Sequence, residues 1–119
     1  MELKPIIYAV DPPLVPCSNS QLVKIYGKDF HEVPLNQIFV KFGNYLSPEV
    51  FFIRKDLIIC DTPTCTNAQT VNISISFDGG VSYMSCTEDP FEFIENNEEG
   101  LNKFIKYLEG PKFEQKTIK

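Results

Sequence analysis

The sequence predicts an all-β sandwich followed by one amphipathic helix. Val71, Ile73, Ile75 and Phe77 alternate with polar residues, and a strand places such alternating side chains on an apolar and a polar face. Short apolar segments are separated by turn residues about every 8–12 positions, which is typical of sandwiches. From Asn96 onward the apolar spacing changes from that of a strand to that of a helix.

The stretch Thr70–Ser82 is the most regular part of the sequence. Asp78-Gly79-Gly80 predicts a hairpin turn after the alternating strand, because glycine adopts a positive φ at little cost. We expect Val81 and Tyr83 to return on the apolar face of the second strand. The hairpin should therefore line the interior of the sandwich.

The remaining strands follow from alternation and from the residues that interrupt it. A first strand is predicted at Pro5–Val10 and ends before two prolines, which cannot donate to a ladder. A second is predicted at Gln21–Tyr26, where Gly27 ends it and Phe30 returns to the core. Further strands are predicted at Gln37–Phe42, Val50–Ile53, Leu57–Cys60 and Phe91–Ile94.

The last part of the chain predicts a helix. Asn96 or Asn97 is a suitable N-cap, and Gly110-Pro111 is a stop signal. A helix this short is marginal in isolation, so its apolar stripe has to dock on another surface. The stripe at helical spacing consists of Leu101, Phe104, Ile105 and Leu108. We divide the chain into a sandwich, residues 1–95, and a helix with a polar tail, residues 96–119.

Composition and charge narrow the function classes. The chain has 119 residues, enough for one core, and a net charge of −5, which opposes a free-standing nucleic-acid binder. No apolar run is long enough to span a bilayer, and the first residues lack a signal-peptide core. His31 is the only histidine, and no motif supplies a nucleophile beside it. We therefore expect a non-enzymatic intracellular protein without a cofactor; an extracellular fragment is the alternative.

The cysteines allow two interpretations. The chain has four, Cys17, Cys60, Cys65 and Cys86, and an even number suggests disulfides. Cys60 could pair with Cys65 across a proline turn, and Cys17 with Cys86. Alternatively, Cys60 is a small buried hydrophobe and the others are loop thiols. A zinc site is not expected, because there is no CxxC motif and only one histidine.

Several segments together carry a family resemblance. In chain order they are Ile6–Pro12, then Pro16 and Ser18, Val23–Phe30, Val40–Gly43, Ile58–Pro63, Val71–Tyr83 and Phe91–Phe93. Their order and spacing, over roughly residues 4–95, resemble the IPT/TIG domain, which occurs in plexin-type receptors and in several transcription factors. The resemblance implies an immunoglobulin-like sandwich of about seven strands.

The resemblance also implies a function. The expected function is a non-enzymatic protein-interaction or assembly module. One alternative is the IPT/TIG domain of a transcription factor, which contributes dimerisation or contact with the DNA backbone; another is an ectodomain fragment of a plexin-like receptor. The chain departs from the family pattern in two places. Ser18-Asn19-Ser20 stands where the family usually has glycines. Receptor-type members also pair the cysteine equivalent to Cys60 with a second cysteine, and Gly43–Val50 does not contain that second cysteine.

The predicted outer faces are unusually apolar. Several large apolar side chains, together with either Leu57 or Ile59, fall on the strand faces opposite the predicted core. An outer sheet face rarely exposes so much apolar surface. Either the helix folds back over this surface, or one or both surfaces bind a protein partner or a second copy of the chain. The predicted interface residues are Leu22, Tyr26, Phe39, Phe51, Leu101, Phe104, Ile105 and Leu108.

Overall fold

A computed structural model of the chain describes residues 5–85 and 90–109. The described residues form eleven short strands, one 3-10 turn (Leu35–Gln37) and one helix, α1 (Glu98–Leu108). The strands are β1 (Ile6–Asp11), β2 (Leu14–Pro16), β3 (Leu22–Lys28), β4 (Phe39–Phe42), β5 (Tyr45–Leu46), β6 (Val50–Arg54), β7 (Leu57–Asp61), β8 (Gln69–Val71), β9 (Ile73–Ser76), β10 (Met84–Ser85) and β11 (Phe91–Ile94).

The strands form a sandwich around one core. One layer is the antiparallel sheet β1-β3-β7-β6. The other layer contains the sheets β10-β9-β4-β5 and β2-β11-β8, which meet where β8 leads into β9. Side chains from all three sheets share the core, and the Phe42, Phe91 and Phe93 rings lie with centroids 5.0–6.1 Å apart. The predicted all-β fold with a C-terminal helix is confirmed.

The alternating segment at the centre of the sequence changes sheet. β8 pairs with β11, whereas β9 pairs with β4 and β10. Asn72 separates the two strands, and its carbonyl accepts a hydrogen bond of 2.9 Å from the Gly43 N–H. Ile73, Ile75 and Phe77 are buried as predicted. The apolar side of the alternation is confirmed, but Ser76, predicted on the polar face, is fully buried, because its hydroxyl donates a hydrogen bond to the Asp78 carboxylate and accepts one from the Gly80 N–H. The segment also serves two sheets.

The hairpin loop is held by the Asp78 carboxylate. This carboxylate accepts hydrogen bonds from the Ser76 hydroxyl (2.7 Å), the Ser82 N–H (2.9 Å) and the Ser82 hydroxyl (2.6 Å). Gly79 and Gly80 have φ of 77° and 92°, so the predicted glycine turn is confirmed. The hydrogen bonds from Ser82 and Ser76 lower the pKa of Asp78 to about 2.

The prediction for the returning strand is wrong. Val81 is 85% exposed, and the Tyr83 ring lies on the outer face, where the Lys41 Nζ is 4.5 Å from the ring centroid. The reason is the length of the loop, since the ladder resumes only at Met84, opposite Ile75.

Gly27 does not end its strand, as the sequence suggested, but lies within β3 opposite Ile7. The Phe30 ring packs directly over it: a Cβ at this position would lie 2.3 Å from the Phe30 Cζ and 2.2 Å from the Ile6 carbonyl oxygen. Phe30 itself is only 2% exposed, as predicted. The glycine is therefore required for close approach and not for a turn.

The helix docks on its own sandwich. Asn97 is the N-cap, and its side chain accepts a 2.9 Å hydrogen bond from the Gly100 N–H. The helix packs against β2 and β11, with Phe104 in contact with the core. The predicted cap is confirmed, while the predicted stop at Gly110-Pro111 lies outside the described residues.

Candidate interaction surface

An apolar patch lies on the outer face of the sheet β1-β3-β7-β6, among the charged residues Asp11, Lys24 and Asp61. Phe51 on β6 lies directly opposite Ile59 on β7, and Ile59 lies opposite Lys24 on β3. Leu22 and Tyr26, two positions either side of Lys24, are the diagonal neighbours of Ile59. Ile59 is therefore the centre of the cluster. We define Leu22, Tyr26, Phe51 and Ile59 as the sheet patch.

The exposure of the sheet patch is substantial. Leu22 is 59% exposed and Phe51 is 39% exposed, while Tyr26 and Ile59 are half-buried. Ile58 and Cys60 fill the inner face of β7, so Leu57 and Ile59 both point outward. Leu57 is nevertheless only 8% exposed, which leaves Ile59 as the apolar side chain of β7 that is open to a partner.

Phe39 lies on the other layer. It is on β4 opposite Ser76, and it lines a groove together with Leu35, Val50 and Phe51. The structure therefore brings three of the predicted sheet residues onto one face, and Phe39 approaches that face only at the groove beside Phe51.

The apolar stripe of the helix is divided between the core and the solvent. Phe104 packs against the core of the chain itself, together with the buried Gly100 on the same side. Leu101, Ile105 and Leu108 remain 37–47% exposed. We define these three side chains as the helix stripe. The residues that face the sandwich are 100, 103, 104 and 107. They have the same helical spacing as the predicted stripe, 101, 104, 105 and 108, but each lies one position earlier in the chain.

Two polar contacts join this side of the helix to the sandwich. The Lys103 Nζ lies 2.9 Å from a Glu92 carboxylate oxygen, an exposed ion pair that contributes little alone. The Tyr107 hydroxyl donates a hydrogen bond to the Asp11 carboxylate. Burial and this hydrogen bond raise the pKa of Tyr107 to about 12. The sequence pattern did not identify Gly100 or Tyr107 as contact residues. For Gly100 a signal was available, because a glycine inside a helical pattern often marks close packing.

The basic residues of the same sheet have acidic neighbours. A groove at its edge is lined by Lys28, Arg54 and Lys55, but also by Asp29 and Asp56. The Arg54 Nε lies 2.7 Å from the Asp56 carboxylate. This mixed groove does not offer the excess positive charge that binding to phosphates requires.

The described cysteines are free thiols in contrasting environments. Cys60 is fully buried beside Ser47, and burial raises its pKa to about 12. The Cys65 N–H donates a 2.8 Å hydrogen bond to the Cys17 carbonyl, so Cys65 neighbours Cys17. Cys86, the other half of the second predicted pair, lies outside the described residues.

Among residues 5–85 and 90–109, no three His, Cys, Asp or Glu side chains come together as metal ligands. His31 is exposed, and its ring centroid lies 5.0 Å from that of Phe77. Within the same part of the chain, no helix has the length and apolar character to cross a membrane.

The comparison with protein families decides the assignment. The family model that describes the IPT/TIG domain matches residues 5–93. The chain belongs to the IPT/TIG domain family. A search of the curated proteins found no match. Domains of this family have an immunoglobulin-like fold. They commonly serve as protein-interaction modules or as modules of transcription factors. The match ends within β11, so the sheet patch belongs to the IPT/TIG domain proper and the helix stripe lies beyond the matched region.

Proposed function

We propose that this IPT/TIG domain is a non-enzymatic assembly module that binds another protein chain through the sheet patch. The observation that supports the proposal is the exposed apolar cluster around Ile59, with Leu22 and Phe51 as its most exposed large members. A solvated face of an antiparallel sheet normally alternates to polar residues. An apolar cluster on such a face, even with Lys24 among its members, indicates a contact surface.

A partner that covers the sheet patch would gain binding free energy from the burial of its apolar side chains. Complete burial of a Leu or Phe side chain contributes about 1.5–3 kcal/mol. Since Leu22 and Phe51 are already partly covered, each would contribute roughly 1 kcal/mol on binding. Lys24 lies within the patch and Asp11 lies opposite it on β1, so charged groups at this position would set the register of the partner.

The helix stripe would extend the same surface. The Tyr107 hydroxyl donates a hydrogen bond to the Asp11 carboxylate, and Asp11 lies opposite Lys24 of β3. The last turn of α1 therefore reaches the β1 side of this sheet. Because the helix is held by its cap and by Phe104, it presents Leu101, Ile105 and Leu108 without an ordering cost on binding.

Charge favours a protein over a nucleic acid as the partner. The net charge is −5, and Arg54 is paired with Asp56. A nucleic-acid partner would require an excess of basic groups.

The first experiment measures self-association of the purified chain by light scattering over a range of concentrations. We expect concentration-dependent dimers for the wild type and for Val81→Lys, a matched control because Val81 is 85% exposed and lies on the distant hairpin loop. We expect Leu22→Lys to remain monomeric. A monomeric wild type would exclude a second copy as the partner.

The second experiment tests for a different partner. A photo-crosslinking side chain is placed at Leu22 in one variant and at Val81 in another, and both are exposed to extract from the source cells. The proposal expects a saturable cross-linked product at Leu22 that Phe51→Glu abolishes. Monomeric behaviour together with equal cross-linking at the two positions would overturn the proposal.

A further inference from the structure

Cys17 and Cys65 meet where β2 ends. The Cys17 carbonyl accepts a 2.8 Å hydrogen bond from the Cys65 N–H, and the Cys17 N–H donates a 2.9 Å hydrogen bond to the Ile94 carbonyl. The loop between β7 and β8 is thus attached at Cys17. On its other side, Cys17 is attached to the last residue of β11, shortly before the helix begins.

This backbone hydrogen bond holds the two cysteines side by side. Burial raises the pKa of the Cys65 thiol, and the Cys17 side chain is close enough to raise it further. The Cys65 sulfur lies 3.5 Å from the Asn67 carbonyl oxygen. Standard backbone bond lengths and the 2.8 Å distance from the Cys65 nitrogen to the Cys17 carbonyl oxygen place the two Cα atoms within about 7 Å of each other. Disulfides span about 4.4–6.8 Å between Cα atoms, so the backbone is already close to the spacing that the bond requires.

We propose that Cys17 and Cys65 form an intramolecular disulfide when the domain meets glutathione disulfide, and that this bond fixes the β7–β8 loop to the end of β2. The proposal does not depend on the sheet patch, and it differs from both cysteine pairs predicted from the sequence.

The exposure of the two thiols sets the order of the steps. Cys65 is partly exposed, whereas Cys17 is 5% exposed. The Cys65 thiolate attacks one sulfur of glutathione disulfide, forms a mixed disulfide and releases one glutathione thiolate. The Cys17 thiolate then attacks the Cys65 sulfur and expels the second glutathione. The two cysteines lose two electrons and two protons, and one glutathione disulfide is reduced to two glutathione molecules.

Cys60 is excluded from this exchange. It is fully buried, and burial raises its pKa to about 12. Burial and the neighbouring Cys17 also raise the pKa of Cys65. Because the thiolate is the attacking species, the exchange should accelerate as the pH rises.

The experiment locates the bond by mass spectrometry. The reduced chain is incubated with excess glutathione disulfide, its remaining thiols are alkylated at acidic pH, and it is cleaved with trypsin and Asp-N protease. These proteases separate Cys17 (peptide 11–24), Cys60 (56–60), Cys65 (61–77) and Cys86 (78–88). We expect peptide 11–24 to be joined to peptide 61–77 in the wild type and in Cys60→Ser, with no joined pair in Cys65→Ser.

Thermal unfolding provides a second measurement. Closing a loop of this length restricts the unfolded chain, so oxidation should raise the Tm by about 10 °C in the wild type. It should leave Cys65→Ser unchanged. Circular dichroism of reduced Cys65→Ser checks that the variant folds. A predominant bond from Cys60 to Cys65 or from Cys17 to Cys86, or four thiols that stay alkylatable under excess oxidant, would overturn the proposal.

Discussion

Replacing Gly27 with alanine should destabilise the domain strongly, because the added methyl group has no space. Its position would be 2.2 Å from the Ile6 carbonyl oxygen and 2.3 and 2.7 Å from two atoms of the Phe30 ring. To restore ordinary contact distances, β1 would have to move away from β3, or Phe30 would have to leave its site, where it is 2% exposed. Neither movement is local, since β1 depends on β3 for its pairing.

The size of the effect follows from these contacts. Overpacking a tight site costs about 1–3 kcal/mol, and the lost ladder hydrogen bonding costs roughly a further 1 kcal/mol. We expect Gly27→Ala to lose about 3 kcal/mol of unfolding free energy and, for a domain of this size, about 10 °C in Tm. Urea unfolding followed by circular dichroism measures the loss.

A control on the same strand separates this effect from any general change in strand propensity. Lys24 is exposed on β3, so Lys24→Ala should change the unfolding free energy by less than about 0.5 kcal/mol. If Gly27→Ala also remains within about 0.5 kcal/mol of the wild type, the close approach of Phe30 and Ile6 to Gly27 does not exist as described.

Three further predictions concern the turn and the helix. Asn97→Ala should cost about 1 kcal/mol and reduce helical circular dichroism, because Gly100 N–H loses its acceptor; an unchanged spectrum and stability would contradict the cap. The pKa of Asp78 is lowered from 3.8 to about 2, so its stabilising effect is present above about pH 4 and lost as the pH falls towards 2. Urea midpoints across that range should show this loss in the wild type but not in Asp78→Asn. Tyr107 has its pKa raised from 10 to about 12, so its contribution is complete below pH 10 and lost as the pH rises through 12; absorbance titration should show a late tyrosine transition that Tyr107→Phe removes.

Features that depend on local chemistry could be predicted from the sequence. Ile73, Ile75 and Phe77 are buried because a strand alternates its faces whatever surrounds it. Gly79 and Gly80 turn the chain because they tolerate positive φ, and Asn97 caps the helix because its side chain reaches an N–H three residues later. The family resemblance is confirmed for the same reason, since it is carried by these short segments in their order.

Features that depend on a distant neighbour could not be predicted. Gly27 was interpreted as a stop, and only the Phe30 ring above it shows why a glycine continues the strand. β2 is a three-residue strand parallel to β11, and nothing within Leu14–Pro16 indicates that partner.

By itself, the sequence determined that the chain is an all-β sandwich with a helix, where most of its longer strands lie, and that too many apolar side chains remain for one core. Only the tertiary structure decided where those side chains lie, because the rotation of the helix is set by Gly100 and by the bond from Tyr107 to Asp11 across nearly the whole chain. The same packing placed Phe104 inside, left Leu101, Ile105 and Leu108 outside, and put Cys65 beside Cys17. A local sequence pattern shows which secondary structure and which degree of burial a residue favours. Which distant residues it contacts depends on the packing of the whole folded chain.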